Sequence, residues 1–226
     1  MIDTLLAPFA PHICYGCGFT GSPLCDSCMN DIKYEDFGRC VWCLKPAVGT
    51  HQCQKCTQKY GVRGAWAVAL REGVLQAVVD GYKFEACRAA AVELAALLDA
   101  VLPVFEVEPV VSWVPTVPAH IRERGFDHAA LLARTFARTR GYRATPLLVR
   151  SNSLTQHRLG KTAREKAAQD AFEIRERTKH STAPVLLIDD TLTTGATLRA
   201  CVRKIQDGDA RDVYIAVVCR QPDASA

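Results

Sequence analysis

The chain has 226 residues, enough for one ordinary domain and a smaller one. Hydrophobic residues make up 49% and charged residues 23%, a mixture that excludes a mostly disordered protein. The net charge of +4 is too small by itself to indicate nucleic-acid binding.

The N-terminus lacks the pattern of an export signal. Asp3 stands where a signal peptide has Lys or Arg, and the apolar run is short. The most apolar later stretch, 89–105, is interrupted by Glu93, Asp99 and Pro103, so it should not span a bilayer. We therefore expect no membrane insertion and a cytoplasmic location, where paired cysteines are more often metal ligands than disulfides.

Eight of the eleven cysteines fall within the first 56 residues, as four Cys-x-x-Cys pairs. Two intervening residues let a tight turn direct both sulfurs toward one ion, and two such pairs complete a tetrahedral structural zinc site. The segment is also poor in core-forming residues, which is typical of folding driven by metal binding. The predicted zinc ligands are Cys14, Cys17, Cys25, Cys28, Cys40, Cys43, Cys53 and Cys56.

Disulfides, a redox pair and an iron–sulfur cluster are the alternatives to zinc, and four evenly recurring pairs suit none of them well. Pairing in sequence order predicts two zinc ribbons, and a cross-braced arrangement stays open. His12 and His51 lie nearby and are interpreted as bystanders. The isolated Cys87, Cys201 and Cys219 are interpreted as small buried apolar residues.

Beyond residue 56 the chain alternates between short apolar runs and helical periodicity. This alternation predicts a mostly parallel α/β sheet with helices on both faces, over 61–226, after a double zinc ribbon over 1–60. The predicted strands are 65–70, 110–114, 146–149, 185–188 and 213–219. The predicted helices are 74–82, 89–102, 127–140 and 197–206.

The working site of such a sheet lies at the carboxyl ends of its strands, which selects the loops after Val114, Val149 and Ile188. In the last of these, Asp189 and Asp190 follow a buried apolar run, and a Thr-Thr-Gly turn then opens a helix. Backbone N–H groups at a helix start, together with threonine hydroxyls, can hold a monophosphate, and the acids can accept hydrogen bonds from ribose hydroxyls. The residues therefore predict a ribose 5-phosphate ligand, and a helix-capping acid pair beside a solvated turn is the alternative.

This segment resembles the motif that binds 5-phosphoribosyl 1-pyrophosphate (PRPP) in type I phosphoribosyltransferases. Together with LREG (70–73), YKF (82–84), VPTVP (114–118) and RERGF (122–126), it follows the order of the ComF family. That competence-protein group, which includes GntX-like proteins, likewise begins with zinc ribbons. The resemblance covers nearly the whole chain and implies the type I phosphoribosyltransferase fold.

The resemblance also implies roles for the residues of the loop. Asp189 and Asp190 would hold the ribose hydroxyls. Thr191 stands where relatives usually carry an apolar residue. The residues implied to hold the 5-phosphate are Thr193, Thr194, Gly195, Ala196 and Thr197.

The loop that contains Pro115 resembles the pyrophosphate-binding loop of these transferases. Arg122 and Arg124 follow it, and guanidinium groups together with Mg²⁺ would offset the charge that develops on departing pyrophosphate. A surface pair of arginines beside a helix cap at Asp127 is the alternative.

Two further positions bear on this region. Relatives commonly carry Asn-Gln where this chain has Asp127-His128. Lys83 matches a lysine of the family, although a lysine at a helix end is more often only solvated.

The stretch 150–172 lies where such transferases carry a hood that closes over PRPP, with Gln156, Arg158, Lys161 and Arg164 as its candidates. Residues 116–180 hold 14 Arg and Lys against 6 Asp and Glu. This excess of positive charge suits pyrophosphate, and it would also suit the backbone of a nucleic acid.

Two functions follow from the resemblance. The first is an Mg²⁺-dependent enzyme that transfers phosphoribosyl from PRPP to an acceptor and releases pyrophosphate. The second is a non-catalytic module in DNA uptake or recombination that binds PRPP or single-stranded DNA, with the zinc ribbon contacting a partner protein. Pyrophosphate release favours the first, and salt-dependent binding of single-stranded DNA without turnover favours the second.

Overall fold

A computed structural model gives the fold and describes residues 11–35, 38–150, 171–175, 183–208 and 212–222. Its helices are α1 (Asp26–Asn30), α2 (Gln54–Tyr60), α3 (Gly73–Phe84), α4 (Ala91–Val101), α5 (Pro118–Arg124), α6 (His128–Arg140) and α7 (Ala196–Asp207), and a 3₁₀ turn at Arg88–Ala90 precedes α4. Its strands are β1 (Gly64–Leu70), β2 (Val110–Trp113), β3 (Leu148–Arg150), β4 (Phe172–Ile174), β5 (Val185–Leu192) and β6 (Val213–Arg220).

Four strands form a parallel sheet in the order β1-β6-β5-β2. In the centre of the sheet, Ile188 of β5 lies opposite Ala216 on one side and Trp113 on the other. These strands are almost entirely buried because both faces of the sheet are covered. The predicted class, a parallel α/β sheet with helices on both faces, is therefore confirmed.

The two faces of the sheet carry separate cores, because successive side chains of a strand point to opposite sides. Leu186 and Ile188 pack in one core with residues of α3, α4 and α6. Val185 and Leu187 pack in the other core with residues of α7, β3 and β4. We call these two sides of the sheet the α4 face and the α7 face.

The Cys-rich segment contributes to both faces. Leu24 packs in the core of the α4 face, and Val41 packs in the core of the α7 face. Between these residues the chain runs antiparallel along the edge strand β1, where the N–H of Glu35 donates to the backbone of β1 at 2.7 Å. An ion pair of 2.7 Å between Glu35 and Arg220 holds this crossing in place. The segment thus passes from one face to the other around the edge of the sheet.

The strand predicted at 146–149 does not belong to the parallel sheet, so that prediction is corrected. It forms β3, which pairs antiparallel with β4 in a separate two-stranded sheet. The chain meets the main sheet earlier, where the N–H of Val111 donates to the carbonyl of Arg143 at 2.9 Å. β3 is therefore not a strand of the main sheet, and the loop that follows it lies outside the described residues.

The other predicted helices and strands are present, with ends shifted by a few residues. The sequence did not predict α5 or β4. Both are too short for a periodic apolar pattern, and α5 buries none of its side chains.

Three smaller predictions have different outcomes. Cys201 and Cys219 are buried as expected, whereas Cys87 is only half-buried. Among the described residues, no helix combines the length and the apolar character that crossing a membrane requires. The four hood candidates, Gln156, Arg158, Lys161 and Arg164, lie outside the described residues.

Candidate functional site

The eight paired cysteines come together as two groups of four, in sequence order and not cross-braced. The first group is Cys14, Cys17, Cys25 and Cys28, and the second group is Cys40, Cys43, Cys53 and Cys56. In each group the four Sγ atoms lie within 4.8 Å of one another, and one pair per group is 3.6 Å apart. Tetrahedral zinc with bonds of about 2.3 Å separates its sulfurs by about 3.8 Å. Each group could therefore hold a zinc ion.

Backbone N–H groups favour the thiolate form that binds a metal. The N–H groups of Gly16 and Cys25 each lie 3.4 Å from Cys14 Sγ. Burial opposes the ionisation of Cys14, but these donors outweigh it and lower its pKa to about 6. In the second group, the N–H of Cys56 lowers the pKa of Cys53 to about 7.

Asp190 lies near the end of β5 and is ion-paired inside the protein. The residue is only 4% exposed. Lys83 Nζ lies 2.7 Å from its Oδ1, and His128 Nε2 lies 2.7 Å from its Oδ2. Burial would raise the pKa of Asp190, but His128 and Lys83 outweigh this and hold it well below its usual range. Asp190 is therefore charged, and its charge is compensated by side chains from α3 and α6.

Asp189 is half-buried and has no cationic partner among the residues that the structure describes. Its Oδ1 accepts a hydrogen bond of 2.9 Å from the N–H of Asp190. Burial and the neighbouring charge of Asp190 raise the pKa of Asp189 to about 8. Of the two acids, Asp189 is the one with an oxygen left for a ligand.

His128 connects the acid pair to the predicted pyrophosphate side. Arg124 Nη1 lies 3.0 Å from His128 Nδ1, and the Arg124 guanidinium lies 5.2 Å from the centre of the Phe84 ring. Arg124 Nη1 also lies 3.2 Å from Nε2, but Nε2 faces the acceptor oxygen of Asp190 at 2.7 Å. Nε2 is therefore assigned the proton, and Nδ1 is left to accept from Arg124. In the sequence, position 128 stood out only as a departure from relatives. The contacts make it part of the site.

The structure separates the two predicted arginines. Arg122 is exposed, and its side chain makes no hydrogen bond or ion pair with the described part of the chain. Pro115 is half-buried just after β2, and the next residue, Thr116, donates from Oγ1 to Asp127 Oδ1 at 2.8 Å. The same oxygen of Asp127 accepts from a backbone N–H in the first turn of α6 at 3.1 Å. Asp127 thus caps a helix, whereas Arg124 reaches the acid pair through His128.

The turn between β5 and α7, predicted to hold a phosphate, leads directly into a helix start. Thr193 and Thr194 are exposed, and Gly195 has a φ of +72°, a backbone conformation that favours glycine. The N–H of Ala196, at the start of α7, lies 3.4 Å from Thr194 Oγ1. Thr197 is exposed in the first turn of the helix. Backbone N–H groups and threonine hydroxyls at a helix start suit a phosphate. We call residues 193–199 the ligand turn.

One wall of this region comes from the second cysteine group, which the sequence did not predict. A cavity of about 150 Å³ lies between that group and the ligand turn. Its walls include Trp42, Leu44, Leu192, Thr193, Thr194 and Arg220. The ring of Trp42 also lies against Gly195.

No protein-family model matches the chain, and a search of curated proteins finds no match. Among solved structures, the chain is similar to an allosteric regulatory enzyme of purine biosynthesis, with 18% identity over 57% of this chain and a TM-score of 0.43. It is also similar to the glutamine PRPP amidotransferase from B. subtilis complexed with ADP and GMP, with 19% identity over 57% of this chain and a TM-score of 0.42.

A third similar structure is an adenine phosphoribosyltransferase, with 17% identity over 65% of this chain and a TM-score of 0.40. The chain spans only 25% and 26% of the length of the first two proteins, and 76% of the third. These likenesses concern the arrangement of strands and helices alone.

Proposed function

We propose that the chain binds PRPP together with Mg²⁺ and transfers its phosphoribosyl group to an acceptor. The observation that carries this proposal is the run from Asp189 to the start of α7. It places an available carboxyl group next to an anion-binding turn at the carboxyl edge of a parallel sheet. The sequence resemblance to the ComF family supports PRPP as the particular ligand.

Each part of this run has a role in the proposed complex. Asp189 accepts hydrogen bonds from the ribose hydroxyls, for which it must lose its proton. The hydroxyls of Thr193 and Thr194 and the N–H groups that follow Gly195 bind the 5-phosphate. Neither oxygen of Asp190 is open to the ligand while its ion pairs are intact, because Lys83 faces Oδ1 and His128 faces Oδ2.

The donors present at the site fit Mg²⁺ in part. Mg²⁺ prefers oxygen ligands and keeps several waters, and Asp189 is the acid of the pair with an oxygen available to it. Most of the remaining ligands would come from the pyrophosphate. When bound, the cation offsets the negative charge that develops on that leaving group.

Arg124 supplies the protein's own positive charge on this side. Its Nε is buried without a hydrogen-bond partner among the described residues, and an oxygen of pyrophosphate would satisfy it. In the transfer, the bond from C1 to the pyrophosphate oxygen breaks and the electron pair leaves with pyrophosphate. A lone pair of the acceptor forms the new bond to C1.

Calorimetric titration with PRPP and Mg²⁺ tests the binding. We expect Asp189→Asn to weaken binding by about tenfold or more, the value of a lost charge-assisted hydrogen bond. Asp212→Asn, at the opposite edge of the sheet, should leave it unchanged. Release of pyrophosphate across candidate acceptors then tests the transfer. Failure of the unaltered chain to bind PRPP would contradict the proposal.

A second function is favoured by the ion pairs of Asp190. If a ligand leaves these ion pairs intact, only Asp189 is available to it, although the resemblance implies that both acids hold the ribose. The loss of one of the two carboxylates suits binding without turnover. In this alternative, the chain is a cytoplasmic, ComF-like module in DNA uptake or recombination that binds PRPP or single-stranded DNA. Its zinc ribbon would contact a partner protein. Salt-dependent binding of single-stranded DNA without pyrophosphate release favours it over the enzyme.

We also propose that both cysteine groups hold structural zinc in a ribbon unit over 1–60, ahead of a phosphoribosyltransferase-like unit over 61–226. The sulfur separations support this proposal. We expect about two zinc ions per chain after purification without chelator. Less than one ion per chain contradicts it.

A further inference from the structure

We propose that Trp42 is a positioning residue for the ligand turn, and that metal binding by the second cysteine group holds it there. Trp42 lies between Cys40 and Cys43 of that group. A methyl group placed on Gly195 would lie 2.7 Å from Trp42 Cζ3, so the ring rests directly against the backbone of the turn. The contact joins residues 153 positions apart in the chain.

The orientation of the Trp42 ring is set from within the second group. Its Nε1 donates to Gln52 Oε1 at 2.9 Å, and Gln52, which is 4% exposed, directly precedes Cys53. Gln52 Nε2 in turn donates to Thr57 Oγ1 at 2.7 Å and to the carbonyl of Val62 at 2.5 Å. The ring is therefore tied to both halves of the cysteine group.

A second contact with the turn runs through Tyr60, at the end of α2. The rings of Tyr60 and Trp42 lie 5.0 Å apart, and the guanidinium of Arg199 lies 5.4 Å from the Tyr60 ring. Arg199 Nη1 donates to the carbonyl of Thr194 at 2.8 Å. The ligand turn is thus held at Gly195 by Trp42 and at Thr194 through Arg199.

The segment that carries these side chains has little core of its own. Its separate apolar cluster has only three buried residues, Cys40, Ala47 and Cys56, and two of them are metal ligands. When so few apolar contacts hold a segment, metal binding supplies its folding free energy. Loss of the metal should therefore loosen Trp42 and, through it, the turn.

The first cysteine group offers a matched comparison, because it packs against α3 on the other face. Gly16 contacts Val74, and the Tyr15 ring packs on Gly81. Cys17 and Cys43 are exposed ligands at equivalent places in their groups. Cys17→Ser and Cys43→Ser thus weaken one metal site each with equal chemistry.

Amide hydrogen exchange of the full-length, zinc-loaded chain tests the proposal. We expect Cys43→Ser to accelerate exchange at 193–199 by about tenfold, and Cys17→Ser to change it by less than about twofold. Equal acceleration by both variants, or acceleration by neither, would overturn the proposal. Zinc analysis confirms that each variant has lost one ion.

Variants of Trp42 test the contact between its ring and the ligand turn without removing a metal ligand. Trp42→Ala should keep both zinc ions and still accelerate exchange at 193–199, and Trp42→Phe should restore most of the protection because its ring still covers Gly195. The emission of Trp42, taken as the difference between the unaltered chain and Trp42→Phe, should shift when the second zinc is removed. Unchanged exchange in Trp42→Ala overturns the proposal.

The importance of the turn rests on the proposed function, so ribose 5-phosphate binding is measured in parallel. Trp42→Ala should weaken it, and Trp42→Phe should recover it. If the unaltered chain does not bind ribose 5-phosphate, the proposed function fails. The exchange measurements still decide whether Trp42 holds the ligand turn in place or the turn is ordered without it.

Discussion

The two cysteine groups share a motif and differ in what they touch. Both consist of two Cys-x-x-Cys pairs, separated by seven residues in the first group and nine in the second. The first group packs on α3 in the large core of the α4 face, whereas the second lies beside the ligand turn on the α7 face. The same Cys-x-x-Cys motif therefore has different surroundings on each side of the sheet.

Both groups nevertheless lead to the same site. The first supports α3, whose Lys83 neutralises Asp190, and the second supports Trp42, which covers Gly195. We therefore expect the first group to act on the charge of the acid pair and the second to act on the shape of the ligand turn. Four predictions separate these two effects.

The largest expected effect is the loss of one zinc site from each side. Cys28 and Cys56 are buried members of their groups, and we propose both as zinc ligands. Cys28→Ser should lower the free energy of unfolding by about 4 kcal/mol or more, because the first group shares the main core. Cys56→Ser should lower it by less, because the second group stands on a cluster of its own. Urea unfolding measures both, and equal losses would contradict the distinction.

The next effect concerns Lys83, the cation that α3 brings to Asp190. Lys83→Met should lower the free energy of unfolding by about 3 kcal/mol, because it leaves a buried carboxylate short of a partner. The double variant Lys83→Met/Asp190→Asn should recover much of this loss. Arg63→Met, which breaks an exposed pair, should change stability little. A stable Lys83→Met variant would show that His128 suffices to compensate Asp190.

A smaller effect distinguishes the Trp42 contact from ordinary backbone strain. Gly195 and Gly141 both have a φ of +72°, but a methyl group on Gly141 would meet nothing within 4 Å. Gly141→Ala should therefore lower the free energy of unfolding by about 1 kcal/mol, from strain alone. Gly195→Ala should cost about 2 kcal/mol, because the methyl group also displaces the ring. The difference should become smaller in a Trp42→Ala background, where only Arg199 Nη1, 2.9 Å from the methyl position, still has to move, as urea unfolding can determine.

The smallest effect is a dependence of ligand binding on pH. The pKa of Asp189 is raised to about 8, so below that pH a ligand that needs the carboxylate must first displace a proton. Affinity for ribose 5-phosphate should rise severalfold from pH 7 to 8.5 and then level off, by linkage. The phosphate itself is already doubly charged in this range, since its second pKa is about 6. Asp189→Asn should abolish the rise.

The midpoint of this pH dependence also distinguishes the two sides. The charge of Lys83 lowers the pKa of Asp189, so Lys83→Met should move the midpoint to higher pH. Trp42→Ala should weaken binding without moving the midpoint, because the ring carries no charge. A shift in both variants would mean that the two effects are not separate.

Local patterns predicted the parts of the site that lie within a few residues of one another. The Cys-x-x-Cys pairs and the helix that starts after Thr-Thr-Gly depend on neighbouring residues, and the structure has them where expected. The acid pair was expected in a loop after Ile188, but β5 continues to Leu192, so both acids lie within the strand. The strand at 146–149 was assigned to the wrong sheet because a short apolar run does not indicate its partner. Here the partner is β4, three residues long.

The sequence by itself predicted which side chains are candidates to bind metal, phosphate and ribose, because spacing along the chain controls local turns and helix starts. Only the tertiary structure decided which of them meet. Sheet order places β5 between β6 and β2, and α3 and α6 on one face then bring Lys83 and His128 to Asp190. On the α7 face, the packing of the second cysteine group brings Trp42 to Gly195. Burial strengthens both sets of contacts. Charged groups and backbone polar groups that have lost their contact with water must be stabilised by the protein groups around them.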